Sequence, residues 1–107
     1  MKKFIWLSFD LGVRGDYEGI YEFLDSHGAK ECGDSIGGFT YEFKNDLFSD
    51  LTKDLKKAMT VDKRTRVYVI YLGNDGKLKG RFIVGSRKSP PWTGRAPTNG
   101  VEEDVGE

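Results

Sequence analysis

Lys3-Phe4-Ile5-Trp6-Leu7-Ser8-Phe9-Asp10-Leu11 is the stretch on which the reading of the fold turns. Six of its nine residues are Phe, Ile, Trp or Leu. Apolarity this continuous predicts a strand buried on both faces in the middle of a sheet. A single carboxylate, Asp10, sits near the C-terminal end, just before Gly12-Val13-Arg14-Gly15. An acid at the point where a buried strand opens into a glycine-containing loop either caps the loop or begins a site.

Beyond that loop, Asp16 is placed to cap a helix. Tyr17, Ile20, Tyr21 and Leu24 follow at i, i+3, i+4 and i+7, one apolar face of an amphipathic helix over Tyr17–His27 that stops at Gly28. His27, at the helix end, suits a capping role better than that of a general base. Ala29-Lys30-Glu31-Cys32 and Phe39-Thr40-Tyr41-Glu42-Phe43 read as strands, with Gly33 to Gly38 as the turn between them. That glycine-rich turn lacks the following lysine and helix start of a phosphate-binding loop. Cys32 reads as a small buried residue.

Asn45 is expected to cap a second helix whose buried face carries Leu47, Phe48, Leu51, Leu55, Ala58 and Met59. Arg66 to Leu72 is the strongest β-propensity run. Gly73-Asn74-Asp75-Gly76 forms a hairpin turn, and Lys77 to Val84 returns as a lysine-bearing edge strand. After Gly85 the pattern loses its period and takes in all three prolines and Trp92. Thr98 to Glu107 is expected to be disordered.

At 107 residues the chain fits one domain, and its 17 basic and 17 acidic residues leave no net charge to indicate nucleic acid or membrane. The distribution is uneven: six basic residues and no acid lie between Lys77 and Gly100, and four acids fall in the last six positions. One cysteine excludes an intrachain disulfide, and no Cys/His spacing suits zinc. Lys2-Lys3 before Phe4–Leu7 opens like a secretion signal, but the apolar run is too short, and no run approaches a membrane span. The expectation is a reduced, cytoplasmic protein.

The order strand, helix, hairpin, helix, strand, strand predicts an α+β ferredoxin-like βαββαβ sandwich with an additional C-terminal strand. The domain covers residues 1–86, and a basic Pro/Trp tail ending in an acidic segment covers 87–107. Phe9-Asp10-Leu11 closing the first strand, the helix ending at Gly28-Ala29, the weak Gly-rich hairpin, the second helix and Asp62 to Leu72 before a last strand follow in this order. In this the chain resembles the small ferredoxin-like subunit of the CRISPR adaptation complex and its relative, virulence-associated protein D, over roughly residues 1–84.

The resemblance implies a homodimer joined through the sheets, contact with RNA or DNA and, in some members, ribonuclease activity dependent on Mg²⁺ or Mn²⁺. Only Asp10 carries over, as the catalytic and metal-binding aspartate that ends the first strand. The Pro-Pro-Trp tail departs from the family pattern. The residues themselves add Arg14, Arg81, Arg87, Lys88 and Arg95 as phosphate-binding candidates and Trp92 as a stacking platform. Pro90-Pro91-Trp92 also reads, and reads better, as an arm that packs the indole on the domain or docks on a partner subunit. The rival expectation is a non-catalytic regulatory or anti-defence protein that captures a protein partner through its sheet edge and tail.

Overall fold

The computed structural model describes residues 1–97, so the expected disorder of Thr98–Glu107 lies outside the described residues. The described residues form an α+β protein with two helices and a five-stranded sheet. Strand β1 (Lys2–Asp10) leads to helix α1 (Tyr17–Ser26), and β2 (Lys30–Gly33) and β3 (Ile36–Glu42) form a hairpin. Helix α2 (Leu47–Ala58) precedes a second hairpin, β4 (Arg66–Leu72) and β5 (Leu78–Val84). The sheet order is β2-β3-β1-β4-β5, every pairing antiparallel, so β1 is central as expected.

Burial on β1 departs from the two-faced expectation. Ile5, Leu7 and Phe9 are buried among the helices, but Phe4, Trp6 and Ser8 point the other way and are only partly covered. Both helices occupy one face of the sheet, so alternate residues of a central strand meet either core or solvent. On the core side β1 packs with Phe39 and Tyr41 of β3 and Val67 and Val69 of β4, which are all buried. Leu51 and Leu55 of α2 close over them and are fully excluded from water.

Helix α1 is rotated relative to the periodicity reading. Gly19, Ile20 and Phe23 face inward, while Tyr21 is half exposed. The cause is close helix packing: a Cβ on Gly19 would lie 2.7 Å from the Ala58 carbonyl oxygen and 2.8 Å from the Met59 Cβ. Asp16 caps α1 as expected, with Oδ1 accepting from the Gly19 N–H at 2.9 Å. Its Oδ2 accepts from the Thr60 N–H at 2.7 Å, which ties the start of α1 to the end of α2. These two backbone donors, Thr60 first, hold the Asp16 carboxyl below its ordinary range. His27 is the C-cap residue, one position beyond the helix, and its ring packs on Phe23 and Phe39.

Three further expectations shift. The cap of α2 is Asp46, whose Oδ2 accepts from the Ser49 N–H at 2.9 Å; Asn45 precedes it and donates its own N–H to Asp50 at 3.2 Å. The β2–β3 turn is shorter than expected, because Ile36, Gly37 and Gly38 already belong to β3. Cys32 is exposed rather than buried, because it lies in an edge strand whose four residues are all exposed.

Candidate functional site

Two layers make a one-sided sheet, and the second face is where the chemistry collects. Residues of even number on β1 and β4 point to it: Phe4, Trp6, Ser8 and Asp10 beside Arg66, Tyr68, Ile70 and Leu72. Strand β5 adds Phe82, Gly80 and Leu78 opposite Tyr68, Ile70 and Leu72. The rings are locked by mutual packing and by glycines beneath them. Phe4 meets Trp6 edge-on at 5.0 Å between centroids, and Tyr68 meets Phe82 likewise at 5.0 Å. A Cβ on Gly38 would lie 3.0 Å from the Phe4 ring, and one on Gly80 2.5 Å from the Tyr68 ring. Each glycine lets an aromatic ring lie directly on its backbone.

At one end of this face the strand-end residues meet the tail. Arg66 is opposite Asp10 in the β1–β4 register, and its Nη2 donates to Asp10 Oδ2 at 2.5 Å. Arg87 approaches the same oxygen at 3.5 Å. Asp10 Oδ1 accepts from the Gly12 N–H at 3.3 Å, so Asp10 caps the loop that follows β1. The Arg66 guanidinium bonded to Asp10 holds its carboxyl below the ordinary range, and the Gly12 N–H and the Arg87 charge act in the same direction. The arginines are the more sheltered partners, with side chains 15% (Arg66) and 34% (Arg87) exposed against 54% for Asp10.

Arg87 reaches back because the chain reverses at Gly85. Its φ is +67°, and a Cβ there would stand 2.2 Å from the Thr65 carbonyl oxygen, so only glycine fits. The turn carries Pro90, Pro91 and Trp92 over the end of the sheet. A cavity of about 470 Å³ lies between them and Tyr68, Phe82 and Asp10. Its lining is mostly rings and prolines, with one carboxylate and two guanidinium groups among them.

The six residues expected to contact phosphate or base divide accordingly. Arg87 and Trp92 line the cavity with Asp10, whereas Arg14, Lys88 and Arg95 are exposed and do not line it. Arg81 lies on the opposite face, its guanidinium 4.2 Å over the Phe48 ring of α2. Arg66, Tyr68 and Phe82 belong to the cavity but were not singled out in the sequence. Tyr68 and Arg66 could have been found from the period-two alternation of β4, which sets them on the face opposite Val67 and Val69.

The surroundings of Asp10 do not fit a divalent cation. Mg²⁺ and Mn²⁺ are held by carboxylates with retained waters. Here one lone carboxylate has an oxygen committed to Arg66 and facing Arg87, and both arginine charges repel a cation. Among the described residues no three His, Cys, Asp or Glu side chains converge as a metal-binding group. The arrangement suits an anion: two positive charges share one negative charge, leaving a net cation in an apolar cavity. Among the described residues no helix is long and apolar enough to cross a membrane.

No family model matches the chain, and neither a curated protein nor a solved structure matches it at the significance applied.

Proposed function

We propose that the chain is a ferredoxin-like domain that binds single-stranded nucleic acid on the open face of its sheet, without catalysis by Asp10. The observation that carries this is the row of ring-bearing positions, Phe4, Trp6, Tyr68 and Phe82, leading to a cavity that holds Arg66 and Arg87. Unstacked bases gain from aromatic faces and phosphates from guanidinium groups, without any demand on sequence. The strand order β2-β3-β1-β4-β5 supports the ferredoxin-like reading, with β5 as the added strand.

Fluorescence anisotropy of short labelled RNA and DNA strands, in chelator and at rising salt, tests the proposal. Binding is expected to persist in chelator and to weaken with salt, with a logarithmic slope of about −0.7 for each phosphate contacted. Absence of binding at low salt refutes it.

A second reading is favoured by the far end of the same face. Leu72, Leu78 and Phe4 are exposed there, Leu78 to 64%. Exposed aliphatics beside aromatics suit a sheet-to-sheet contact with a second copy, the homodimer that the resemblance implies. Light scattering decides it: a dimer that Leu78→Lys converts to monomer supports this reading, and a monomer at high concentration refutes it.

A further inference from the structure

We propose that the cavity at Asp10 is a nucleotide-phosphate pocket, in which Arg66 and Arg87 take the phosphoryl group and Tyr68, Phe82 and Trp92 enclose the base. Asp10 is its internal competitor. The inference rests on the nucleic-acid reading for the source of the nucleotide, and goes beyond it in assigning one residue-sized site with a defined chemistry.

Four observations converge. The volume, about 470 Å³, is in the range of small-ligand sites, commonly about 300–1,000 Å³. Two guanidinium groups meet one carboxylate oxygen, so the cluster keeps an uncompensated positive charge that a phosphate can neutralise. The arginines line the same cavity as Tyr68, Phe82 and Trp92, so a base and its phosphate can each meet a matching group within it. The Tyr68 and Phe82 walls belong to the aromatic row of the open face, so a strand entering the pocket can continue across Trp6. This continuity favours a nucleotide over a phosphotyrosine peptide, which offers one ring and no successive bases.

Asp10 now has a role opposite to a metal ligand's. Its carboxylate holds the two arginines in place when the pocket is empty and competes with the incoming phosphate for their N–H groups. Removing that charge while keeping the shape is expected to tighten binding. A metal-binding or catalytic aspartate predicts loss instead.

The experiment is calorimetric titration of the full chain with adenosine 5′-monophosphate, adenosine, inorganic phosphate and phosphotyrosine. A parallel anisotropy series compares one oligonucleotide with and without a 5′-phosphate, which distinguishes a free nucleotide from a strand end as the source. The monophosphate or the phosphorylated strand end is expected to bind about tenfold or more tighter than adenosine or phosphate alone, since each of those lacks one half of the recognition. Asp10→Asn is expected to tighten binding about threefold or more, and Arg87→Gln to weaken it about tenfold. Arg87 lies beyond β5, so its substitution leaves every strand intact and keeps the test informative if Asp10→Asn fails to fold.

Equal affinity for adenosine and its monophosphate, weaker binding by Asp10→Asn in a folded protein, or preference for phosphotyrosine overturns the inference. Long-strand binding that ignores the 5′-phosphate and Arg87 removes this pocket and leaves the proposed function standing. Binding of the mononucleotide with no binding of any strand does the reverse.

Discussion

Gly80→Ala tests one proposed aromatic platform, Tyr68, without removing a ring or a charge. Tyr68 lies across the bare backbone of Gly80. An added Cβ would stand 2.5 Å from its Cε2, 2.7 Å from its hydroxyl oxygen and 2.8 Å from its Cζ. Carbon atoms rest at about 3.5–4.0 Å from one another, so the ring must swing away, breaking its edge-on contact with Phe82. Two effects on stability oppose each other. Alanine in a strand gains about 0.5–1 kcal/mol over glycine through the unfolded chain, and loss of the ring pair costs about 0.5–1.5 kcal/mol, leaving stability within about 1 kcal/mol. Binding has no such compensation: one base–aromatic stack is worth about 1–3 kcal/mol, or about 5- to 150-fold in affinity. Anisotropy with a labelled single strand and urea denaturation of the same sample read the two quantities separately. The control is Gly76→Ala, in the distal hairpin at φ +81° with open space around it, which is expected to cost about 1 kcal/mol of stability and no affinity. If Gly80→Ala folds normally and binds within about twofold of wild type, Tyr68 is not a platform and the reasoning fails.

Other perturbations probe the scaffold and the tail. Gly85→Ala, forced against the Thr65 carbonyl, is expected to swing the tail off the sheet and lower mononucleotide affinity about as much as Arg87→Gln; calorimetry reads it, and unchanged affinity would show that the turn does not position Arg87. Gly19→Ala should lower the urea midpoint, because an overpacking cost of about 1–3 kcal/mol at the α1–α2 contact exceeds the gain of about 1 kcal/mol in helix propensity. Leu51→Ala, at a fully buried site, is expected to cost about 2–5 kcal/mol in the same measurement. Acid should destabilise the fold: Asp10, Asp16 and Asp50 all titrate below their ordinary 3.8 when folded, so their stabilising effect is present above that pH and lost as pH falls through the folded values. Thermal melts from pH 6 downward would show this, and a melting temperature unchanged below pH 4 would contradict it. Tyr41 runs the other way. Burial and its hydrogen bond to Asp54 raise its pKa, so stability is complete below the ordinary value of 10.0 and declines as pH rises above it, measurable by near-ultraviolet titration.

Element order and the central place of β1 were legible because they rest on patterns of many residues. Period-two alternation at Phe39 and Tyr41, the Asp16 cap of α1 and the Gly73–Gly76 turn each carry local physics that survives in the fold, whereas the α2 cap fell one residue from the expected Asn45. What stayed hidden depends on pairs distant in the chain. Nothing local tells that Asp10 lies opposite Arg66, because that follows from the register between β1 and β4. The inward turn of α1 toward Phe23 follows from Gly19 meeting α2, a contact absent from the periodicity of α1 alone. Trp92 was visible as an aromatic in a basic tail, but its place in the lining of the cavity follows the reversal of the chain at Gly85. Continuous apolarity in β1 suggested two buried faces because a solvent-facing face built from Phe and Trp has the same composition as a core.

The central position of β1 has a consequence for how the chain is made. Ile5 pairs with Phe39 on one side and Tyr71 on the other, so β1, made before either partner, acquires its second neighbour only when β4 emerges. At roughly 5–20 residues per second of synthesis, Phe4-Ile5-Trp6-Leu7 spends several seconds with at least one bare edge. A short apolar, β-prone segment in that condition is a target for holding chaperones and a nucleus for aggregation. The paired charges of Lys2 and Lys3 at its entrance are placed as gatekeepers of the nascent chain.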